Sequence, residues 1–137
     1  MKIYFSGSIR GGRDQVDTYS IIIEELKNFG EVVSEFISDK SLTSYGSLNM
    51  TDEDIYKRDT SMINDSEVVV ADITTPSLGV GYEIAYAEKL GKQIYCLYQK
   101  QDGKRISAMI AGCPGCKVFG YKDKNEVLEI IRNIFKK

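Results

Sequence analysis

The chain has 137 residues, of which 42% are hydrophobic and 28% charged, values typical of one globular domain with a single core. Its 18 basic and 20 acidic side chains give a net charge of −2 without any block of like charge, which argues against a general binder of nucleic acid polymers or membrane surfaces. No apolar run approaches the roughly 18 residues that span a bilayer, and the first residues lack the apolar segment of a signal peptide. We therefore expect one domain over residues 1–137, located in the cytoplasm.

Apolar runs that predict strands alternate along the chain with periodic patterns that predict helices. In chain order, the prediction is a strand at 2–7, a helix at 13–30 with Gly30 as its C-cap, a strand at 31–37, a helix at 51–66 with Thr51 as its N-cap, a strand at 67–73, a helix at 79–91, a strand at 93–98, a short strand at 117–121 and a helix at 124–137. This alternation predicts an α/β fold, a three-layer sandwich around a five-stranded parallel sheet in the order 2-1-3-4-5.

The chain has no histidine and three cysteines, Cys96, Cys113 and Cys116. The odd number favours reduced thiols in a reducing compartment. The CPGC sequence formed by Cys113 and Cys116 does not open a helix after a strand, as redox motifs do, and no second C-x-x-C completes a zinc site, so we interpret it as structural or incidental. The lack of histidine excludes Ser-His and Cys-His nucleophiles, which leaves carboxylates, tyrosines or cations for any catalysis.

Two glycine-containing loops follow the first and third strands, whose carboxyl ends are neighbours in the predicted strand order. The first, GSIRGGR at 7–13, combines glycine N–H groups, a helix start and the guanidinium groups of Arg10 and Arg13, all suited to an anion. It matches neither the dinucleotide fingerprint nor the P-loop. The second, PSLGVG at 76–81, repeats the arrangement at another helix start, where Ser77 can donate. We expect a phosphate group here; the alternative is a flexible turn with solvated arginines.

Two acidic residues fall on the apolar faces of predicted helices. Asp59 shares its face with Ile55, and Glu83 shares its face with Val80. A buried carboxylate is costly unless it is paired or functional, so this pattern predicts a carboxylate pair of the kind used in glycoside chemistry. We expect the helix dipole to keep Glu83 ionised as a nucleophile and Asp59 to be protonated as the acid. The alternative is that both lie at helix edges and bond to the backbone or to Arg58.

Three segments, YFSGSIRGGR, RDTSMINDSEVVVADITTPSLGVGYEIAYA and ISAMIAG, resemble the 2′-deoxynucleoside 5′-monophosphate N-glycosidases of the nucleoside 2-deoxyribosyltransferase superfamily. The resemblance runs nearly end to end, with the motifs in the family's order and spacing. It implies a flavodoxin-like (Rossmann-like) fold, a homodimer, no metal or other cofactor, and hydrolysis of a small nucleotide to free base and 2-deoxyribose 5-phosphate. The segments 38–52 and CPGC match poorly and leave the base preference open.

The resemblance also implies roles for residues at the matching positions. Glu83 would be the nucleophile that attacks the anomeric carbon, Asp59 its acid partner and Tyr4 a pocket tyrosine beside them. The residues implied to hold the substrate and its phosphate are Gly7, Ser8, Ile9, Arg10, Gly11, Gly12, Arg13, Ser77 and Gly79. Those implied to reach the phosphate of the neighbouring subunit's substrate are Ser107, Ala108 and Met109. Ser6 stands where the family has cysteine, a difference from which we expect little consequence.

Three other functions stay open at this point. A deoxyribosyltransferase would exchange bases on the same sugar, but the phosphate-binding residues favour the hydrolase. A ribonucleotide N-glycosidase would act on cytidine monophosphates. A nucleotide sensor would bind without turnover and would need Glu83 or Asp59 turned away from the pocket.

Overall fold

The computed structural model describes residues 1–9, 15–38 and 50–136. Within these ranges the elements in chain order are β1 (Lys2–Ser6), α1 (Val16–Leu26), β2 (Glu31–Val32), a 3₁₀ helix (Glu35–Ser38), α2 (Asp52–Asp65), β3 (Val68–Asp72), α3 (Leu78–Lys89), β4 (Gln93–Gln99), α4 (Ala108–Ala111), β5 (Cys116–Tyr121) and α5 (Lys124–Phe135). The strands pair in parallel in the order β2-β1-β3-β4-β5. The predicted α/β fold and its strand order are confirmed.

The sheet separates two apolar clusters. On one face, α1 and α5 cover side chains that include Phe5 and Leu97. On the other face, α2 and α3 cover Tyr4 and Ala71. All five residues of β3 are buried, as expected for an uninterrupted apolar strand with helices on both sides. Because side chains alternate along a strand, Tyr4 and Ser6 of β1 both face the layer that contains α2 and α3.

The N-termini of α2 and α3 are fixed by side-chain caps. Thr51 Oγ1 accepts a hydrogen bond from the N–H of Asp54 at 3.0 Å, and the Asp54 carboxylate accepts one from the N–H of Thr51 at 3.3 Å, which completes a capping box. Ser77 Oγ accepts from the N–H of Val80 at 3.3 Å and begins α3 one residue earlier than predicted. In the described ranges, no helix combines the length and apolar character needed to cross a membrane.

The second strand is shorter than predicted. Only Glu31 and Val32 pair with β1, and the rest of the predicted strand turns into the 3₁₀ helix. The cause is Ser34, whose buried hydroxyl accepts from the N–H of Phe5 at 2.8 Å and donates to the carbonyl of Phe5 at 2.7 Å. A side chain thus satisfies the β1 backbone where a longer β2 would have done so.

The prediction that Gly30 is the C-cap of the first helix is wrong. Helix α1 ends at Leu26, and its C-cap is Lys27 in an ordinary right-handed conformation. A Cβ on Gly30 would lie 2.5 Å from the carbonyl oxygen of Met1. Glycine is therefore needed at this position for the close approach of the chain to the start of β1.

Candidate active site

A cavity of about 900 Å³ opens at the carboxyl ends of β1 and β3, where the strand order predicts the ligand site. Its described wall is built by the loop after β1, by α2, by the loop after β3 with the start of α3, and by the loop after β4. The wall includes Gly7, Ile9, Arg58, Asp59, Ser77, Gly79, Glu83, Lys104, Arg105 and Ser107. Helices α2 and α3 therefore present Asp59 and Glu83 to one space.

Both oxygens of the Glu83 carboxyl group accept hydrogen bonds from β1. Tyr4 Oη donates to Glu83 Oε2 at 2.6 Å, and Ser6 Oγ donates to Glu83 Oε1 at 2.7 Å. Tyr4 and Ser6 are themselves fully buried. Strand β1 thereby fixes the orientation of a carboxyl group that lies at the cavity wall. We expected little consequence from serine in place of cysteine at position 6, but the Ser6 hydroxyl group contacts Glu83 directly.

Asp59 lies on α2 and lines the same cavity as Glu83, close enough for its charge to act on the Glu83 carboxyl group. Arg58 Nε donates to Asp59 Oδ1 at 2.9 Å, and the Arg58 guanidinium lies over the ring of Phe36, 4.2 Å from its centroid. The structure thus brings together the two acids that the helix periodicity placed on inner faces. The bond to Arg58 that the alternative interpretation anticipated is present as well, and it orients Asp59 beside Glu83.

Burial raises the pKa of Glu83 to about 7; the hydroxyl groups of Ser6 and Tyr4 oppose this rise, and the nearby Asp59 adds to it. We expected the helix dipole to keep Glu83 ionised near neutral pH; because burial raises its pKa to about 7, Glu83 is only partly ionised there. Burial and the Glu83 charge also raise the pKa of Tyr4 well above its ordinary value of 10.0, so the phenol stays protonated as a donor. Glu83 thus changes between acid and carboxylate near neutral pH.

The start of α3 forms the anion-suited part of the wall. Ser77 and Gly79 both line the cavity at the first turn, where helix N–H groups and the positive end of the helix dipole favour an anion. A Cβ added to Gly79 would have Ser77 Oγ, at 3.8 Å, as its nearest described neighbour, so chain packing does not require glycine there. Lys104 and Arg105 bring two positive charges from the loop after β4. These two residues were not predicted from the sequence, although a basic pair after a strand that ends at the ligand edge indicates a possible anion site.

The loop after β1 is only partly described. Gly7 and Ile9 line the cavity, whereas Ser8 is fully buried and its N–H donates to Tyr19 Oη at 2.9 Å. A Cβ on Gly7 would lie 2.8 Å from the Tyr19 ring, so packing against α1 explains this glycine. The remaining predicted residues of the loop lie outside the described residues: Arg10, Gly11, Gly12 and Arg13.

The segment predicted to reach a neighbouring subunit lies after β4. Ser107 lines the cavity of its own chain, and its Oγ accepts from the N–H of Met109 at 3.2 Å as α4 begins. Ala108 is exposed, and Met109 is 84% exposed. A contact of these residues with the phosphate of a second subunit stays a prediction.

The three cysteines carry free thiols outside the cavity wall described above. Cys116 N–H donates to the Cys113 carbonyl at 3.1 Å, so CPGC forms the turn into β5, and Cys113 Sγ contacts Glu88 Oε2 at 3.0 Å. Burial raises the pKa of Cys96 to about 11, and burial likewise raises the pKa of Cys116. Their thiolate forms are thus disfavoured near neutral pH, which fits a structural interpretation of the motif.

Comparison with known proteins identifies relatives of this chain and of its fold. The model of a family described as nucleoside 2-deoxyribosyltransferase matches residues 3–128. The 5-hydroxymethyl-dUMP N-hydrolase of Danio rerio is 42% identical over 137 residues, which are 98% of this chain and 96% of that one. The Esox lucius protein of the same name is 41% identical over 140 residues, 99% and 97% of the two chains. The structure of Clostridium botulinum CMP N-glycosidase has the same Rossmann-like fold, with a TM-score of 0.69, 17% identity and coverage of 98% of this chain and 99% of that one. The chain belongs to the nucleoside 2-deoxyribosyltransferase family.

Proposed function

We propose that this protein hydrolyses the N-glycosidic bond of 2′-deoxynucleoside 5′-monophosphates to free base and 2-deoxyribose 5-phosphate. The observation that carries the proposal is that Glu83 and Asp59 line one cavity together with Ser77 and Gly79, where the start of α3 is suited to a phosphate. Relatives named for hydrolysis of a deoxynucleotide support the same reaction. The activity is that of an N-glycosidase.

In the first step, a carboxylate oxygen of Glu83 attacks the anomeric carbon. A bond forms between that oxygen and the carbon, the bond from the carbon to the base nitrogen breaks, and its electron pair leaves with the base. Asp59 supplies the proton that the base needs. The transition state resembles an oxocarbenium ion, which forms more readily because deoxyribose lacks an electron-withdrawing 2′-hydroxyl group, and the adjacent carboxylate stabilises it.

In the second step, water attacks the same carbon and displaces the Glu83 carboxylate, while Asp59, now ionised, takes the proton of the water. The hydroxyl groups of Tyr4 and Ser6 are placed to stabilise the departing carboxylate through the two contacts at 2.6 and 2.7 Å. Two displacements at one carbon give a product of retained configuration.

The phosphate is proposed to lie at the start of α3, against Ser77 and Gly79, with Lys104 and Arg105 contributing positive charge. Binding energy from this remote group holds the anomeric carbon against Glu83. We also propose that the residues that the family resemblance implies in the loop after β1 bind the substrate: Gly7, Ser8, Ile9, Arg10, Gly11, Gly12 and Arg13.

Two glycine substitutions distinguish an effect on phosphate binding from an effect on chain packing. In Gly79→Ala the new methyl group enters the space assigned to the phosphate, so we expect kcat/KM for a deoxynucleoside monophosphate to fall about 10- to 100-fold, the effect of one lost close contact of 1–3 kcal/mol. Its free energy of unfolding should change by less than about 1 kcal/mol. In Gly7→Ala the Cβ meets the Tyr19 ring at 2.8 Å, and we expect a loss of stability of about 1–3 kcal/mol.

Urea unfolding and initial rates measure both quantities. The control substrate is the corresponding deoxynucleoside, which lacks the phosphate. For this substrate, Gly79→Ala should lower kcat/KM much less. Equal losses of kcat/KM on the two substrates would rule out a phosphate site at Gly79.

We also propose a homodimer in which Ser107, Ala108 and Met109 of one subunit complete the site of the other. Large apolar side chains exposed near the cavity support it: Met109 is 84%, Leu78 96% and Tyr82 58% exposed. Sedimentation should give twice the chain mass of 15.4 kDa, and the mass of a single chain would contradict the proposal.

We also propose a cytoplasmic location, which the free cysteines and a nucleotide substrate support.

The experiment that tests the proposed function is an assay of the purified protein with the four common deoxynucleoside monophosphates and 5-hydroxymethyl-dUMP. We expect free base and 2-deoxyribose 5-phosphate in equal amounts from at least one of them. A second base is then added in excess. New nucleotide carrying that base would identify a transferase instead, and tight binding of every substrate without release of base would identify a sensor.

A further inference from the structure

Ser6 is a buried polar residue that the family resemblance left without a role. Its side chain lies on β1, where Ser6 pairs with Ala71 of β3, and its relative exposure is 0%. Its hydroxyl group nevertheless donates to Glu83 Oε1 at 2.7 Å. Ser6 therefore contacts the Glu83 carboxyl group from the sheet, and its side chain is too buried to touch the substrate.

We propose that Ser6 is a positioning residue that orients Glu83 and stabilises its carboxylate form, and thereby sets the pH above which the enzyme is active. The inference rests on the proposed function, in which Glu83 reacts as a carboxylate. It adds to the proposed site one contact that a cysteine at this position would make only weakly, because a thiol is a poor hydrogen-bond donor.

The geometry gives Ser6 a role that Tyr4 does not duplicate. The two hydroxyl groups serve different oxygens, Ser6 on Oε1 and Tyr4 on Oε2, so together they fix the plane of the carboxyl group. If the Ser6 hydroxyl is removed, Tyr4 cannot reach Oε1 without giving up Oε2. The carboxylate then loses one charge-assisted hydrogen bond and can turn about its last torsion.

Several other groups also affect the ionisation of Glu83, in addition to the hydrogen bond from Ser6. Burial and Asp59 on α2 disfavour the carboxylate, whereas Ser6 and Tyr4 favour it. Arg58 lies beside Asp59, and Lys104 and Arg105 stand on the same cavity wall. Among the hydrogen bonds that hold the pKa of Glu83 down, the one from Ser6 has the largest effect. Its removal should therefore be visible against this background.

The test compares Ser6→Ala and Ser6→Cys with the parent protein. The measured quantity is kcat/KM between pH 5 and pH 9, whose acid limb reports the ionisation of Glu83 in the free enzyme. A hydrogen bond to a charged group corresponds to about one to two pKa units, so we expect the acid limb of Ser6→Ala to move up by that amount. Below the limb, kcat/KM should fall about 10- to 100-fold. Ser6→Cys should lie between Ser6→Ala and the parent.

Ser34→Ala is the matched control. Ser34 is another fully buried serine, and its hydroxyl also bonds to β1, through the backbone of Phe5 at 2.7 and 2.8 Å, but it does not contact Glu83. Ser34→Ala should lose stability as Ser6→Ala does, whereas the acid limb of its kcat/KM profile should stay at the parent pH. An unmoved acid limb in both Ser6 variants would overturn the inference and leave Ser6 with a structural role only.

A measurement that needs no substrate tests the role of Ser6 independently of the proposed function. The Glu83 carboxyl carbon can be titrated by NMR in the protein without substrate, with Glu83→Gln to assign its signal. A higher midpoint in Ser6→Cys and Ser6→Ala supports the inference even if the hydrolase assay finds no product. An unchanged midpoint overturns it even if that assay succeeds.

Discussion

Glu83→Gln is expected to lower kcat for hydrolysis of a deoxynucleoside monophosphate by on the order of 10³-fold or more, because an amide oxygen cannot serve as the nucleophile. The amide has nearly the shape of the carboxyl group and can still accept from Tyr4, so the cavity should keep its form. The dissociation constant of the substrate should change only a few-fold, since its phosphate is held elsewhere. Initial rates and calorimetric binding measure the two effects.

The matched control is Glu88→Gln on the same helix. Glu88 is exposed and contacts Cys113, away from the carboxyl pair. This variant should keep the parent kcat. Turnover by Glu83→Gln at a rate within tenfold of the parent would contradict the role of Glu83 as nucleophile, and a matching loss in Glu88→Gln would point to a general effect on α3.

The second large effect is expected from Asp59→Asn. An asparagine cannot protonate the departing base, so kcat on a natural deoxynucleotide should fall by about 10²- to 10⁴-fold. Removal of the neighbouring carboxyl group also removes a cause of the raised pKa of Glu83, so the acid limb of kcat/KM should move below pH 7. This shift is opposite in sign to the one expected from Ser6→Ala, and the two variants can be compared in one series.

A substrate analogue with an activated leaving group isolates the acid role. With 4-nitrophenyl 2-deoxyribofuranoside 5-phosphate, whose leaving group departs without a proton, Asp59→Asn should lose much less activity than with the natural nucleotide. Asp65→Asn, at the exposed end of the same helix, is the control and should behave as the parent. Equal losses on the two substrates would show that Asp59 does not act as the acid.

The parts of this structure that the sequence predicts well are those governed by periodicity. The alternation of buried strands and amphipathic helices gives the sheet order, and the helix period places Asp59 beside Ile55 and Glu83 beside Val80 on inward faces. Because α2 and α3 cover the same face of the sheet, both acids come to line one cavity. The capping of α2 by Thr51 follows from local chemistry in the same way.

The parts that the sequence did not predict depend on contacts between distant segments. The bond from Ser6 to Glu83 joins residues 77 positions apart, and the raised pKa of Glu83 follows from burial that only the packed fold creates. Gly30 is explained by its approach to Met1 rather than by a helix end, and β2 is shortened by the hydroxyl of Ser34. Local pattern contains no information on any of these partners.

If the Glu83 carboxylate attacks the sugar before water does, the stereochemistry of solvent capture will show it. Turnover in buffer that contains methanol should form methyl 2-deoxyribofuranoside 5-phosphate, because methanol replaces water in the second displacement. NMR of this stable product reads the configuration at the anomeric carbon. Two displacements predict the β-anomer, the configuration of the substrate. Formation of the α-anomer would mean a single direct attack and would contradict a nucleophilic Glu83.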